Sequence, residues 1–161
     1  MNSINQNAEP KEQNEESYIE NWEPEAWVYF IWLPVGDHVY LKVGKSVNPS
    51  SRLEQLLAGM PEEPCQAHHL ACLMEEQAIL FERIFHELLA PYRTRGEWFS
   101  HANVKHLYAV LYEKLEELLT LFYTFGYKPY FETVPLKGEH PMLHQNGFLD
   151  YIISRAGSDM E

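Results

Sequence analysis

Positive charge is scarce in this sequence. The 161 residues include 12 Lys and Arg against 24 Asp and Glu, which gives a formal net charge of -12. Such an acidic balance opposes a general electrostatic attraction to nucleic acid. Any phosphate that the chain binds must therefore be held by a few basic side chains that converge in the folded protein.

Cysteine and long apolar runs are scarce as well. Cys65 and Cys72 are too few for a disulfide framework, and this favours a reducing compartment. The first residues are polar and acidic, and no apolar run reaches the length of a membrane-spanning helix. We therefore expect a cytoplasmic protein without a membrane partner.

The sequence does contain enough apolar material for a core, since 45% of its residues are hydrophobic and 14% are aromatic. A chain of this length and composition is typical of one compact domain with tails. We expect an acidic disordered tail over residues 1–24 and a compact domain over residues 25–100. A long helix over 101–125 should pack on that domain, and the structure of residues 126–161 is unassigned.

Three stretches predict the strands of a sheet. Residues 26–34 are continuously apolar and aromatic and end at Pro34, which is typical of a short buried strand. Residues 38–44 alternate apolar and polar side chains, so this second strand should be half-buried and form a hairpin with the first. Residues 65–74 predict a third strand. We expect an α+β fold in which helices flank a small three-stranded antiparallel sheet.

Three segments predict helices. Asn48 is suited to cap a helix that has Pro49 at its first position. Residues 75–92 carry an amphipathic apolar stripe. In the long C-terminal helix, which Ser100 should cap, apolar residues repeat at spacings of four and three over residues 104–122. Such a stripe more often packs on its own sheet, and a homodimer through the same residues is the alternative.

The polar residues that interrupt these elements follow a defined order. Tyr29 lies on the first strand, Arg52 on the first helix, and Glu82 one helical turn before His86 on the second helix. The motif stretches are Trp27-Val28-Tyr29, Lys42-Val43-Gly44-Lys45-Ser46 and Gly96-Glu97-Trp98-Phe99. This order resembles the GIY-YIG nuclease superfamily, in the branch described as meiotically up-regulated-gene-type or phage-T5-type. The resemblance covers residues 26–100.

The resemblance implies a metal-dependent endonuclease that hydrolyses phosphodiester bonds, with DNA as the expected substrate and Mg²⁺ or Mn²⁺ as the cofactor. It makes residues 25–100 a GIY-YIG-like nuclease domain in which Glu82 is the expected metal ligand. The expected catalytic residues are Tyr29, Tyr40, Lys42, Arg52, Glu82 and His86, and the expected substrate-binding residues are Lys45, Ser46, Arg93 and Arg95.

Three of these residue types suit phosphodiester hydrolysis without reference to any family. A guanidinium such as that of Arg52 can bind two phosphate oxygens at once. A carboxylate such as that of Glu82 can hold a Mg²⁺ ion that keeps most of its waters and takes substrate oxygens. A tyrosine near a metal or lysines could have its pKa lowered enough to help deprotonate water, and Tyr29 and Tyr40 are both candidates.

Two departures from the family pattern leave a second function open. Lys42 stands where the family has its second motif tyrosine. The asparagine that many relatives carry after the glutamate helix is absent, and its role is either lost or taken by Glu97, which lies in that stretch. Together with the acidic balance, these departures favour, as the alternative, a catalytically inactive module that binds nucleic acid or a protein partner.

The stretch "CQAHHLAC", residues 65–72, brings residue types that bind zinc close together. Alternate residues of a strand face opposite sides, so the four side chains would be divided between the two faces. One tetrahedral site would then need a broken strand. Ordinary buried cysteines are the simpler interpretation.

Overall fold

The computed structural model describes residues 17–138, which form one sheet flanked by helices. In chain order the elements are β1 (Ala26–Val35), β2 (His38–Ser46), α1 (Pro49–Ala58), β3 (Gln66–Cys72), α2 (Glu75–Leu88), β4 (Arg93–Arg95), β5 (Trp98–His101), α3 (Val104–Thr124) and β6 (Phe131–Pro135). The strands lie in the order β4-β5-β2-β1-β3-β6. Every neighbouring pair is antiparallel.

The predicted three-stranded sheet is wrong, because the described residues form a sheet of six strands. β5 adds to the outer edge of β2, β4 adds to β5, and β6 adds to the outer edge of β3. The added strands have three to five residues, too few for a readable alternation of apolar and polar side chains. They form because the edges of β2 and β3 offer unpaired backbone groups. Gly96, with φ of 57°, makes the turn between β4 and β5.

The two faces of the sheet carry cores of different size. On one face, the larger core includes Phe30 and Trp32 of β1 and is covered by α2 and α3. On the other face, Tyr29 and Ile31 pack against Leu53 of α1 in a smaller cluster. Because β1 is covered on both faces, its sequence is apolar without a break.

The helix starts follow local capping chemistry. Asn48 caps α1 as predicted, since its side chain accepts a hydrogen bond from the Ser51 amide at 3.1 Å and Pro49 follows it. The predicted cap of the long helix is wrong. Ser100 lies in β5, and Asn103 caps α3 by accepting from the Lys105 amide at 3.0 Å.

The apolar stripe of α3 is covered within its own chain. Its buried side chains are Val104, Leu107, Tyr108, Leu111, Tyr112, Leu115, Leu118 and Phe122, and most of them belong to the larger core. The surface that we considered for a homodimer, residues 104–122, is therefore largely used inside the molecule. A homodimer stays a prediction.

The segment before β1 packs against the end of α3. The Ile19 amide donates to the Gly126 carbonyl oxygen at 2.8 Å, and Ile19 in turn accepts from the Lys128 amide at 3.0 Å. The Trp22 ring stacks on Phe122 with ring centroids 5.8 Å apart. Residues 1–16 and 139–161, and with them most of the predicted tail and the extension, lie outside the described residues. Within the described part of the chain, no helix is long and apolar enough to cross a membrane.

The histidines of β3 face opposite sides of the sheet. His68 Nδ1 is 3.0 Å from Thr133 Oγ1, and His69 Nδ1 is 2.7 Å from Glu132 Oε1. Among residues 17–138, no cluster of three or more His, Cys, Asp and Glu side chains is arranged to hold a metal. The zinc alternative has no ligand cluster in this region.

His68 should make folding stability sensitive to acid. Burial lowers its pKa from 6.5 to about 3, so between these values the unfolded chain binds a proton that the folded chain does not. Stability should therefore fall with decreasing pH from pH 6.5 towards pH 3, with a slope of about 1.4 kcal/mol per pH unit from this site. Urea unfolding between pH 8 and pH 5 measures the slope. His68→Gln should flatten it, and equal slopes in the two proteins would contradict this account.

Candidate active site

The candidate site lies at the edge of β2 where β5 begins. The last strand pair between β2 and β5 joins Lys42 to Trp98, and one further hydrogen bond runs from the Val43 amide to the Glu97 carbonyl oxygen at 3.3 Å. α2 reaches the same edge, because His86 Nε2 donates to the Val43 carbonyl oxygen at 2.7 Å. Side chains from both faces of the sheet can therefore meet around the end of β2.

Gly44 provides the space that Tyr29 occupies. The two residues are directly paired across β1 and β2. A Cβ atom on Gly44 would overlap the Tyr29 hydroxyl group and its ring carbon Cζ. The phenol therefore lies flat against the backbone of β2 and is buried, with an exposure of 3%. Glycine is required here by this close approach.

Arg52 places a positive charge beside the Tyr29 hydroxyl group. It lies one turn into α1, whose start is fixed by Asn48 and Pro49, and its side chain is exposed. Burial raises the pKa of Tyr29, and the Arg52 side chain opposes this by hydrogen bonding to the ionised phenol. Burial is the larger effect, so Tyr29 is protonated at neutral pH. The lowered pKa that the sequence suggests for a tyrosine near a metal or lysines stays a prediction for the metal-bound protein.

Glu82 and Glu97 form a pair of carboxyl groups on the other side of the edge. Glu82 comes from α2 and Glu97 from the turn before β5. Burial raises the pKa of Glu82, and the neighbouring Glu97 raises it further by charge repulsion and by a hydrogen bond to the protonated form. Two carboxylates this close share either a proton or a cation.

Lys42 and His86 hold the carboxyl pair in place. Lys42 Nζ is 2.9 Å from Glu97 Oε2, its side chain is 11% exposed, and it lies 5.4 Å from the centre of the Trp98 ring. His86 is fixed by its bond to β2 and by an edge contact with Phe99 at 5.4 Å. His86 and Lys45 both lower the pKa of Glu82 by their positive charge. Lys45 is exposed at the end of β2.

The structure brings together six of the predicted site residues. Tyr29 and Arg52 lie on one side of the edge of β2. Glu82 belongs to the carboxyl pair, and the other three side chains lie around that pair. The six are Tyr29, Lys42, Lys45, Arg52, Glu82 and His86.

The remaining predicted residues lie further out. Tyr40 pairs with Leu33, four residues along β1 from Tyr29, which places it about 13 Å away along the strand. Ser46 Oγ accepts from the Asn48 amide at 3.0 Å and so supports the turn into α1.

Arg93 and Arg95 lie on the short strand β4, and both are exposed. Arg93 Nη1 donates to the Gly96 carbonyl oxygen at 3.1 Å, and its guanidinium lies 5.3 Å from the centre of the Phe99 ring. Arg93 also lines a groove of about 580 Å³ that opens beside the carboxyl pair. Arg95 does not line this groove.

The carboxyl pair fits a divalent cation. Mg²⁺ is typically bound through one or two carboxylates, and it takes its remaining ligands from water and substrate oxygens. Glu82 and Glu97 supply two such groups near the end of β2, where burial and then charge repulsion from Glu97 raise the pKa of Glu82. A divalent cation between the two carboxylates would relieve this repulsion, so the pair is suited to Mg²⁺ or Mn²⁺.

A family model matches residues 26–119, more than half of the chain, and it is that of the T5orf172 domain. The chain belongs to the T5orf172 family. This domain is found in phage T5 ORF172 and is related to nuclease-type modules of the GIY-YIG-like or HNH kind. The matched part of this T5orf172 protein runs from β1 into α3 and contains every residue of the site, whereas β6 lies beyond it. No curated protein and no solved structure matches the chain.

Glu97 is not among the predicted catalytic and substrate-binding residues, although it is the candidate to take the role of the absent asparagine. The Gly96-Glu97-Trp98-Phe99 stretch was part of the family resemblance, but nothing local to it indicates that Glu97 lies beside Glu82. The hairpin of β4 and β5 brings it there. The one local indication of a role for Glu97 is its position between the turn residue Gly96 and the aromatic residues Trp98 and Phe99.

Replacing Gly44 should disturb the site through Tyr29. Gly44→Ala should lower the free energy of unfolding by about 1–3 kcal/mol, because the added methyl group meets the phenol in a packed position. Tyr29→Leu in the same chain should recover part of this loss, which a double-mutant cycle measures.

Gly59→Ala is the matched control, since a Cβ there meets only the Leu56 carbonyl oxygen at 3.8 Å. Equal effects of Gly44→Ala and Gly59→Ala, or strict additivity with Tyr29→Leu, would contradict the close approach.

Proposed function

We propose that this T5orf172 protein is a metal-dependent endonuclease that hydrolyses phosphodiester bonds of DNA by a GIY-YIG-type mechanism. One observation carries the proposal. A phenol from β1 and a guanidinium from α1 lie near two carboxyl groups, one from α2 and one from the turn before β5, at the end of β2. This combination provides a phosphate clamp beside a cation site, the two elements that phosphodiester hydrolysis needs.

Arg52 binds the scissile phosphate. Its guanidinium is exposed and can form two parallel hydrogen bonds to phosphate oxygens. Since it is anchored one turn into a capped helix, it does not need to reorganise as negative charge develops in the transition state. Lys45, exposed nearby, adds a second positive charge for the same phosphate.

Glu82 and Glu97 hold the metal. A bound Mg²⁺ would supply a water of lowered pKa and polarise a phosphate oxygen. Lys42 fixes the Glu97 carboxylate through the ion pair of 2.9 Å, and His86 fixes the edge of β2 beside Glu82. These contacts orient the ligands before substrate arrives.

Tyr29 acts as a hydrogen-bonding group beside the phosphate. Its raised pKa keeps the phenol protonated in the free protein, and its position against Gly44 leaves it only small freedom to move. The phenol therefore orients the Arg52 side chain and a water or phosphate oxygen near it. It could accept a proton from the attacking water only as the phenolate, after its own proton had been lost to solvent. A bound cation and the Arg52 guanidinium would favour that loss by lowering its pKa.

The second candidate is a catalytically inactive module that binds nucleic acid or a protein partner. It is favoured by the Lys42–Glu97 ion pair, because a lysine that neutralises one of the two carboxylates competes with a metal for it. The net charge of -12 also limits attraction to DNA.

Cleavage of plasmid DNA with Mg²⁺ tests the proposal. Arg52→Ala and Glu82→Gln should each reduce the cleavage rate by about 10²–10³-fold, because each removes a group that stabilises charge in the transition state. Lys105→Ala is the control for the loss of a positive charge, since Lys105 is exposed at the start of α3 and is not among the predicted site residues. Wild-type rates in both site variants would exclude the mechanism. DNA binding by a wild-type protein that never cleaves would support the second candidate.

Binding of Mn²⁺ tests the role of Glu97 without any activity. Glu97→Gln should weaken Mn²⁺ affinity by about 10–100-fold in an electron paramagnetic resonance titration, because a carboxylate ligand is lost. Glu87→Gln is the matched control, since Glu87 is exposed and lies on the same groove. Unchanged Mn²⁺ affinity in Glu97→Gln, with loss in Glu82→Gln, would leave Glu82 as the single carboxylate ligand.

A further inference from the structure

A second cavity, of about 580 Å³, opens on the face of the sheet that carries Tyr29. Its lining includes Trp22, Trp27, Asn48, Ser50, Tyr130 and Glu132. We propose that this cavity, the aromatic pocket, binds an unpaired nucleobase next to the scissile phosphate. The inference rests on the proposed nuclease function and adds the class of substrate: nucleic acid with a base free of its partner at the cleavage site.

The aromatic pocket lies within one nucleotide of the candidate active site. Trp27 is two residues before Tyr29 on the same face of β1, a separation of about 7 Å along the strand. Asn48 and Ser50, at the start of α1, line the pocket. Arg52 lies two residues after Ser50 on the same helix. A phosphate held by Arg52 therefore has its neighbouring nucleoside at the mouth of the pocket.

The rings of the pocket are already held in position. The Trp27 and Tyr130 rings meet edge to face with centroids 5.6 Å apart, and Trp27 has a similar contact with His69 at 6.2 Å. Trp22 Nε1 donates to the Lys128 carbonyl oxygen at 2.7 Å. Tyr130 is 50% exposed, so ring surface is available to a ligand. Stacking of one base on such a ring contributes about 1–3 kcal/mol.

Glu132 gives the pocket a preference among bases. Its Oε1 is 2.7 Å from His69 Nδ1, and its Oε2 accepts from the Tyr130 hydroxyl group at 3.1 Å. Each oxygen of a carboxylate can accept one more hydrogen bond. The partner must be a donor. The amino groups of cytosine and adenine are accessible donors, whereas the one donor of unpaired thymine, N3–H, is flanked by two carbonyl oxygens that the carboxylate repels. Cytosine or adenine should therefore bind better than thymine.

The charges of the residues that line the pocket favour a neutral base in the pocket over a phosphate group. Of the described residues that line the aromatic pocket, none is Lys or Arg, and two are carboxylates, Glu20 and Glu132. Phosphate is repelled from the pocket and attracted to Arg52 and Lys45, which lie outside it. A base that is paired in a duplex cannot present its amino group and ring face together, so the pocket selects an unpaired base.

Fluorescence anisotropy of labelled 12-mers of dC and dT, in EDTA to prevent cleavage, tests the inference. Wild type should bind the dC strand at least 5-fold more tightly. Glu132→Gln should remove most of this preference, since an amide can also donate to thymine. Trp27→Ala should weaken dC binding by about 5–150-fold, the range that corresponds to the stacking of one base. Trp27→Phe should retain most of the binding, and Phe125→Ala, at an exposed ring outside the pocket, should have no effect.

The outcomes separate this inference from the nuclease proposal. Metal-dependent cleavage with equal affinity for dC and dT, and no effect of Trp27→Ala or Glu132→Gln, would overturn the base pocket and leave the nuclease. A dC preference that depends on Trp27 and Glu132, in a protein that never cleaves, would support the pocket and overturn the nuclease. Saturable binding of choline to wild type, lost in Trp27→Ala, with no binding of either strand, would assign the pocket to an organic cation and overturn the inference.

Discussion

The contact between the Tyr29 phenol and the backbone of Gly44 is the constraint on which the site depends. It fixes the hydroxyl group at the end of β2 and brings it within reach of Arg52 on α1. The same edge of β2 accepts His86 from α2 and so positions Glu82 on the opposite face. A side chain at position 44 would separate the phosphate clamp from the carboxyl pair by displacing the phenol.

The charges around this edge explain how an acidic protein can hold a phosphate. The positive groups are few, and three of them, Lys42, Lys45 and Arg52, surround one strand end. Lys42 is committed to Glu97 by an ion pair, which leaves Lys45 and Arg52 for an anion. The chain as a whole has a formal net charge of -12. Binding would therefore depend on local clamping and on stacking of bases, with a small contribution from counterion release.

Local signals predicted the central elements well. The unbroken apolar run of β1, the alternation in β2 and the Asn48-Pro49 cap of α1 were each visible within a few residues. The edge strands were not visible, because β4, β5 and β6 are short and form only where β2 and β3 offer free backbone. The cap of α3 is Asn103, three residues after the predicted Ser100, for a related reason. Ser100 is paired in β5, and this pairing overrides its capping preference.

The sequence by itself determined the hairpin, the amphipathic helices and the order of Tyr29, Arg52 and Glu82 along the chain, because those depend on side-chain periodicity and spacing. The tertiary structure alone decided that Glu97 stands beside Glu82 and that burial raises the pKa of Tyr29. The tertiary structure also formed the aromatic pocket, because the pairing of β6 with β3 brings Glu132 next to Trp27 and the start of α1. Contacts between segments that are far apart in the chain leave no local pattern, since they arise only when the edges of the sheet are filled.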